Sequence, residues 1–303
     1  MVKFYMMIGL PASGKSTIAK EIAERENAVI ISTDDLRQEL LNDVNSQENN
    51  NLIFKEAERR LKTNIEAGRN VIFDATNINY KKRRDWLNRF NKYAVKKIGV
   101  LVATPYEECL ERNAWRERKV PEEVIKRMYF NFYIPQYYEG FNDIQIKYNS
   151  GYMFAFEDLQ DIPQDNPHHT LTVLRHCEKV QNILDKVQPQ FEPTALNRAG
   201  LLHDIGKLKT KTFVNMKGEI TDIAHFYNHE KVSAYDSLFN FTIKEWYSRD
   251  NIHKALYTLK LIQWHMLLHF DLSEKTVTKY KNMLGEDTWR DLEMLHEADC
   301  EAG

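Results

Sequence analysis

The sequence predicts two folds in one chain: an α/β domain with a parallel sheet and helices on both faces, followed by an all-α domain. Three observations carry this expectation. Apolar strand-like runs alternate with amphipathic stretches over residues 1–150, the pattern of a parallel sheet covered on both sides. A glycine-containing turn, GLPASGKST, joins the first such strand to the first such helix. From about residue 167 the strand pattern fades and helical periodicity takes over.

Taken in order, KFYMMIGL reads as a buried strand, KSTIAKEIAERE as an amphipathic helix and AVIIS as a second strand. A longer helical pattern covers about 50–68, and NVIFDAT is a third strand. Residues 80–92 are helical, IGVLVAT is a strand, and PYEECLERNAWRERK is helical again. Val120-Pro121 opens another helix, with proline in the tolerated first turn, and FNDIQIKY closes the sheet. The polar, two-proline stretch DLQDIPQDNP reads as a linker. This divides the chain into a domain over 1–150, a linker over 151–166 and a second domain over 167–303. There the helical segments are LTVLRHCEKVQNILDKV, PTALNRAGLLHDI, HEKVSAYDSLFNF, NIHKALYTLKLIQWHM and TWRDLEMLHEA.

The composition, 43% apolar and 28% charged over 303 residues, is ordinary for a globular protein with two cores. No run approaches twenty consecutive apolar residues, which argues against a membrane span. The first residues lead straight into a strand without a signal-peptide layout. Cys109, Cys177 and Cys300 are far apart and form no redox or metal spacing, so a reducing cytoplasm fits. Residues 1–150 carry 25 Lys and Arg against 21 Asp and Glu, the remainder 17 against 23. Neither half is basic enough to announce nucleic acid by charge. A polyanion site must therefore be a local patch, such as KKRR at 81–84 or RNAWRERK at 112–119.

Gly9, Leu10, Pro11, Ala12, Ser13, Gly14, Lys15 and Ser16 satisfy the G-x-x-x-x-G-K-[ST] phosphate loop in its required strand-to-helix context. Backbone N–H groups of Gly9 and Ala12 to Thr17 would turn toward phosphates at a helix N-terminus. Lys15 would reach the terminal phosphates of ATP, and Ser16 would ligate Mg²⁺. After the second strand, STDDLRQELL sets Asp34 and Arg37 beside the loop. A carboxylate there can take a proton from an acceptor hydroxyl and a guanidinium can fork onto an acceptor phosphate; Ser32, Thr33 or Asp34 can equally cap a helix. Asp74, ending a strand, can hold the metal or its waters. Arg112, Arg116 and Arg118, read as lying on the helix before Val120-Pro121, could close over the γ-phosphate or simply face solvent.

GLPASGKST, TDDLRQ, FDATN and RNAWRERKVPEEVIKRMY together resemble the polynucleotide 5′-kinase family over about 1–145. The resemblance implies an α/β P-loop kinase domain using ATP and Mg²⁺. It makes Asp34 the general base, Arg37 the clamp on an acceptor 3′-phosphate and Arg116 the lid arginine, with Arg112 beside the nucleotide. The aromatics of YFNFYIPQYYEGF could stack on bases, but helical spacing favours a core role.

All ten histidines lie after residue 167. Imidazoles and carboxylates in such a cluster suit Mn²⁺, Fe²⁺ or Ni²⁺ with positions open to a substrate oxygen. A carboxylate with histidines on either side could hold two ions and supply a metal hydroxide. HHTLTVL, LLHDIGKLKT, FYNHEKVSA, WHM and EADC resemble the HD phosphohydrolase superfamily over about 165–303. That implies an all-α HD domain in which His169, His203, Asp204 and Asp299 hold a first metal. Asp204, His229 and His265 would hold a second, and Lys207 would contact substrate phosphate. His168, His225, His269 and His296 are left to packing or to supporting the ligands.

Adding and removing phosphate at one position is futile, so the pairing makes sense if the two domains treat different ends of one polymer. The expectation is an enzyme that heals RNA or DNA ends, single-stranded or nicked. The kinase would act on a 5′-OH and the HD domain on a 3′-phosphate or 2′,3′-cyclic phosphate. No ligase K-x-D-G run is present, so sealing would fall to a separate ligase. The alternative is a small-metabolite or nucleotide kinase fused to an HD nucleotidase. A third possibility is a nucleotide-sensing regulator.

Overall fold

The computed structural model describes residues 1–43, 49–167, 170–187, 193–248 and 251–303. The chain forms two compact units, residues 1–128 with 135–151 and residues 129–134 with 152–303.

The first unit runs β1 (Val2–Ile8), α1 (Lys15–Glu26), β2 (Ala28–Ser32), α2 (Thr33–Leu41), α3 (Asn50–Glu66), β3 (Asn70–Asp74), α4 (Tyr80–Arg89), β4 (Val95–Ala103), α5 (Tyr106–Ala114), α6 (Glu122–Tyr129) and β5 (Asp143–Tyr148). The five strands form one sheet in the order β2-β3-β1-β4-β5, every pairing parallel. Central β1 is buried from Phe4 through Ile8, as expected of a strand with helices over both faces. Tyr5, Met7, Ile72 and Val100 pack against Ala19 and Ile22 of α1. The parallel register brings the loops after β1, β2 and β3 to one sheet edge, where an open α/β sheet binds ligands.

In this unit one helix differs from its sequence expectation. The helix expected through Lys119 stops at Ala114, so Arg112 is helical while Arg116 and Arg118 lie in the following loop. The cause is Asn113, whose Oδ1 accepts from Val120 N at 2.9 Å and whose Nδ2 donates to Val120 O at 2.8 Å. That pair of bonds folds the chain back on itself and ends the helix.

A charged pair stands inside this core. Arg83 donates through Nε and Nη2 to the Glu139 carboxylate at 2.6 and 2.7 Å, and through Nη1 to Asn77 O at 2.8 Å. Both side chains are fully buried. Burial pushes the Glu139 carboxyl up, and Arg83 opposes it. Arg83→Met leaves that carboxylate unpaired and is expected to cost about 3–5 kcal/mol, read as a lower denaturation midpoint with an unchanged slope.

The second unit comprises α7 (Val173–Leu184), α8 (Pro193–Leu202), α9 (Lys207–Thr210), β6 (Lys211–Val214), β7 (Ile220–Phe226), α10 (His229–Asp236), α11 (Phe241–Ser248), α12 (Ile252–Trp264), α13 (Glu274–Leu284) and α14 (Glu286–Ala302). It is helical apart from the antiparallel β6–β7 hairpin. Residues 129–134 belong to this unit. Tyr129 donates to Asp236 Oδ1 at 2.6 Å, Ile134 N donates to Gln263 Oε1 at 2.7 Å, and Phe132 packs edge-on to Tyr235. Tyr129, Phe132 and Ile134 are fully buried. Residues 152–166 also pack here: Phe154 N donates to Phe239 O at 3.0 Å, and Gln164 is buried.

Lys260 on α12 is buried, donates to Thr288 Oγ1 at 2.7 Å and lies over the Tyr257 ring. Burial brings its ammonium down to about 8 from an ordinary 10.5. Below pH 8 both folded and unfolded chains are protonated, and the folded state bears the cost of a buried charge. Between pH 8 and 10.5 the unfolded chain holds more protons, so stability rises with pH. Lys260→Met is therefore expected to stabilise the protein at pH 7 by about 1–3 kcal/mol. That gain should shrink as thermal unfolding is followed from pH 8 to 10.

Candidate active sites

In the first unit the site is the loop between β1 and α1. Ala12 and Gly14 adopt left-handed backbone angles, φ 62° and 91°, which turn successive N–H groups to one side. Ser13 O accepts from Thr104 Oγ1 at 2.9 Å and from Asn149 Nδ2 at 2.8 Å. Gly9 N donates to Thr76 O at 3.0 Å. The loop is thus braced by the segments after β3, β4 and β5. Asn149 carries no motif, and only the folded sheet reveals this role.

Lys15 is buried and donates to Leu10 O at 2.6 Å. Burial lowers its ammonium, opposed by Asp74. Ser16 Oγ donates to Asp74 Oδ2 at 2.7 Å, uniting two side chains 58 residues apart. Burial pushes Asp74 up, opposed by Lys15 and Ser16. A hydroxyl and a carboxylate so joined beside a lysine fit Mg²⁺ with a nucleotide phosphate. There the ion would neutralise charge on the transferring group.

Ser32 caps α2, its side chain accepting from Asp35 N at 3.2 Å. Asp34 is therefore not needed as the cap and extends from the first turn. Arg37 Nη1 lies 3.2 Å from Asp34 Oδ1, and Arg118 Nη1 lies 2.7 Å from Oδ2. Arg37 also donates to Asn50 Oδ1 at 2.9 Å. Arg112 donates to Glu108 at 2.9 Å and to Asn149 O at 2.7 Å, and Arg116 is within electrostatic reach of Lys15. The half-exposed Asp34 carboxylate, flanked by guanidiniums, can accept a hydroxyl proton while an arginine holds a neighbouring phosphate.

The second site is a buried group of imidazoles around Asp204. His203 and Asp204 follow α8, His229 opens α10, His265 follows α12, and Asp299 lies on α14. Gly206 makes the approach possible: a Cβ there would meet His229 O at 2.3 Å and Ser233 N at 2.6 Å. Asp204 Oδ1 faces His229 Nε2 at 3.1 Å and His265 Nε2 at 3.6 Å. Its Oδ2 faces His203 Nε2 at 3.4 Å, His176 Nε2 at 3.8 Å and Lys207 Nζ at 2.6 Å. Asp299 Oδ1 lies 2.7 Å from His176 and 3.7 Å from His203. His176 had no motif of its own; its signal was the LRHCEKV helix, on which it is the buried, inward-facing position. His169 and His168 lie outside the described residues.

The donor set fits divalent metals. His203, His229 and His265 each place Nδ1 2.7–2.8 Å from the backbone carbonyl three residues earlier. A carbonyl only accepts, so Nδ1 carries the hydrogen and Nε2 presents a lone pair. The His229 and His265 Nε2 atoms face each other at 3.2 Å, an arrangement a cation between them resolves. His203 Nε2 and Asp204 Oδ1 are buried without a well-formed hydrogen bond. Cis ligands held at about 2.1 Å from one ion stand about 3.0 Å apart, within the spread seen here.

The electrostatics agree. Burial opposes ionisation of Asp204, but Lys207 and the imidazoles outweigh it and hold the carboxyl well below its ordinary range. Asp299 is likewise lowered against burial by hydrogen bonds with His176, His203 and His269. Burial brings His265 down to about 4, leaving it a neutral ligand near pH 7. Metal ions held by these residues would supply a hydroxide nucleophile and polarise a phosphoryl oxygen. Lys207, paired with Asp204, also donates to Gln164 Oε1 at 2.8 Å. His225, on β7, accompanies Tyr227 as a stacked pair outside this group.

Comparison with known proteins follows the same division. Residues 4–135 match the family model of the AAA domain and residues 168–299 that of the HD domain. L-seryl-tRNA(Sec) kinase of Methanococcus maripaludis is 29% identical over 222 residues, covering 68% of this chain and 82% of that protein. A chain of the Pnkp1/Rnl/Hen1 RNA repair complex is 26% identical with a TM-score of 0.38, over 42% of each chain. This chain thus spans less than half of that structure's length. A gluconokinase of Sinorhizobium meliloti is 14% identical with a TM-score of 0.36, over 48% of this chain and 82% of that one. No helix among the described residues is long and apolar enough to cross a membrane.

Proposed function

We propose that this chain, which joins a P-loop kinase domain to an HD domain, heals nucleic-acid ends. The kinase phosphorylates a 5′-OH with ATP, and the HD domain removes a 3′-phosphate or opens a 2′,3′-cyclic phosphate. The observation that carries the reading is Asp34 held between Arg37 and Arg118 beside the phosphate loop. A proton acceptor with adjacent guanidiniums suits a hydroxyl acceptor that bears its own phosphate. In the reaction Asp34 takes the hydroxyl proton as the oxygen attacks, while Lys15 and Arg116 carry the charge on the transferred group. Lys207 and the imidazoles around Asp204 serve a separate hydrolysis, with a separate ligase left to seal the strand.

A second reading, a kinase whose acceptor hydroxyl is not a polynucleotide end, is favoured by the similarity to a seryl-tRNA kinase. The HD domain would then be a nucleotidase. The test is a short RNA and its DNA equivalent, each with a 5′-OH and a 3′-phosphate, incubated with ATP, Mg²⁺ and Mn²⁺ and weighed by mass. End healing predicts a gain of phosphate at the 5′ end and its loss at the 3′ end. It also predicts that acceptors lacking the 3′-phosphate are poorer substrates, and that Arg37→Ala erases the difference. Bare 5′ ends with ATP consumed on nucleosides or metabolites would transfer the assignment to the second reading.

A further inference from the structure

Beside the buried imidazole cluster lies a second group of metal-ligating side chains that the hydrolytic chemistry does not use. His269 ends the 3-10 turn His265–His269, while His296 and Cys300 stand one turn apart on α14. Residues i and i+4 share a helix face, so the imidazole and the thiol point the same way. Ligand atoms of His269, His296 and Cys300 all lie within 4.8 Å of one another. The two imidazole rings meet edge-to-face at 4.4 Å, and Cys300 Sγ is 3.8 Å from each His296 ring nitrogen. Tetrahedral ligands at zinc distances stand about 3.3–3.8 Å apart, so rotamer adjustments of about an ångström would complete the set.

Asp299 supplies the independent observation. Its Oδ1 faces the buried cluster at His176, 2.7 Å away, whereas its Oδ2 faces His269 Nε2 at 2.9 Å. A carboxylate accepts, so the second contact takes the Nε2 hydrogen of His269 and leaves Nδ1 with a lone pair. An imidazole anchored to a carboxylate through one nitrogen and free to bind metal through the other is the usual arrangement of a histidine ligand.

We propose that His269, His296 and Cys300 bind a zinc ion outside the buried cluster, with a solvent molecule as fourth ligand. The two-imidazole, one-thiolate donor set selects Zn²⁺ over Mg²⁺ and Mn²⁺. Binding releases the Cys300 proton to solvent as the sulfur–zinc bond forms. The ion ties α14 to the turn that follows α12, and through His269 it sets the orientation of Asp299. It is a positioning site rather than a place where phosphate reacts, and it does not depend on which substrate the enzyme takes.

The test uses the full chain, stripped with chelator and reloaded. Cys109 and Cys177 are buried and Cys300 is exposed, so a maleimide should modify the native protein at Cys300. Zn²⁺ added beyond the amount that fills the buried cluster is expected to slow that reaction by about tenfold or more, because a coordinated sulfur is a poor nucleophile, whereas the same excess of Mg²⁺ should not. Loading with Co²⁺ should give a thiolate charge-transfer band that Cys300→Ser abolishes, with one bound ion fewer per chain. His296→Gln should remove both the band and the protection while the metal-free variant melts like the metal-free wild type. Unprotected Cys300 in zinc-loaded wild type, or equal metal content in wild type and Cys300→Ser, would overturn the proposal. The wild-type alkylation result stands even if a variant fails to fold.

Discussion

Asp204→Asn is expected to abolish phosphate removal, by about 10³-fold or more, while leaving ATP-dependent phosphorylation intact. The size follows from geometry. Asp204 stands at the centre of the buried cluster, its two oxygens facing His229 and His265 on one side and His203 and His176 on the other. Losing its charge weakens both groups at once, and several kcal/mol of charge stabilisation is a factor of about 10³ in rate. Lys207, 2.6 Å away, also loses its ion-pair partner, so a stability change will accompany the activity change. The asparagine variant keeps the shape, and its thermal unfolding measured beside phosphate release separates the two effects. Retention of most of the hydrolytic rate by a folded Asp204→Asn protein would place the chemistry elsewhere.

Asp34→Asn should have the complementary effect, lowering the kinase kcat by about 10²–10⁴-fold, the usual worth of a general base, with the KM for ATP little changed. The ion-pair partners of Asp34 are Arg37 and Arg118, and its charge reaches Lys15 and Asp74 through space. Substitution therefore removes the proton acceptor while keeping the hydrogen bonds that hold the Lys15, Ser16 and Asp74 group, which would meet the nucleotide. Phosphate removal by the same preparation is the internal control. Equal losses of both activities would mean that the change acts through folding, and an unchanged kcat would remove Asp34 from the role of base.

The parallel sheet and the helical second unit were legible because burial imposes period. A strand covered on both faces must be apolar throughout, as Phe4 to Ile8 are, and an amphipathic helix must repeat its apolar face. The β6–β7 hairpin escaped that logic because most of it is solvent-exposed, with Met216 and Ile220 nearly bare. With little of either face covered, alternation is not enforced. The end of α5 escaped for another reason: Asn113 bonds both polar groups of Val120, and propensity gives no sign of a side chain reaching seven residues onward.

The candidate sites divide along the same line. By itself the sequence determined the phosphate loop and the His203–Asp204–Gly206–Lys207 segment, because backbone turns, helix termini and close approaches demand particular residues in consecutive positions. It also determined that the remaining histidines crowd the second half. Which of them converge was implied for His203, His229 and His265 only through the family resemblance, and tertiary structure alone added His176. His176 reaches Asp299 across 123 residues, Ser16 reaches Asp74 across 58, and Arg118 reaches Asp34 across 84. Spacing along the chain carries no record of such distances, because helix packing and strand register set them, and those depend on the whole core rather than on any local stretch.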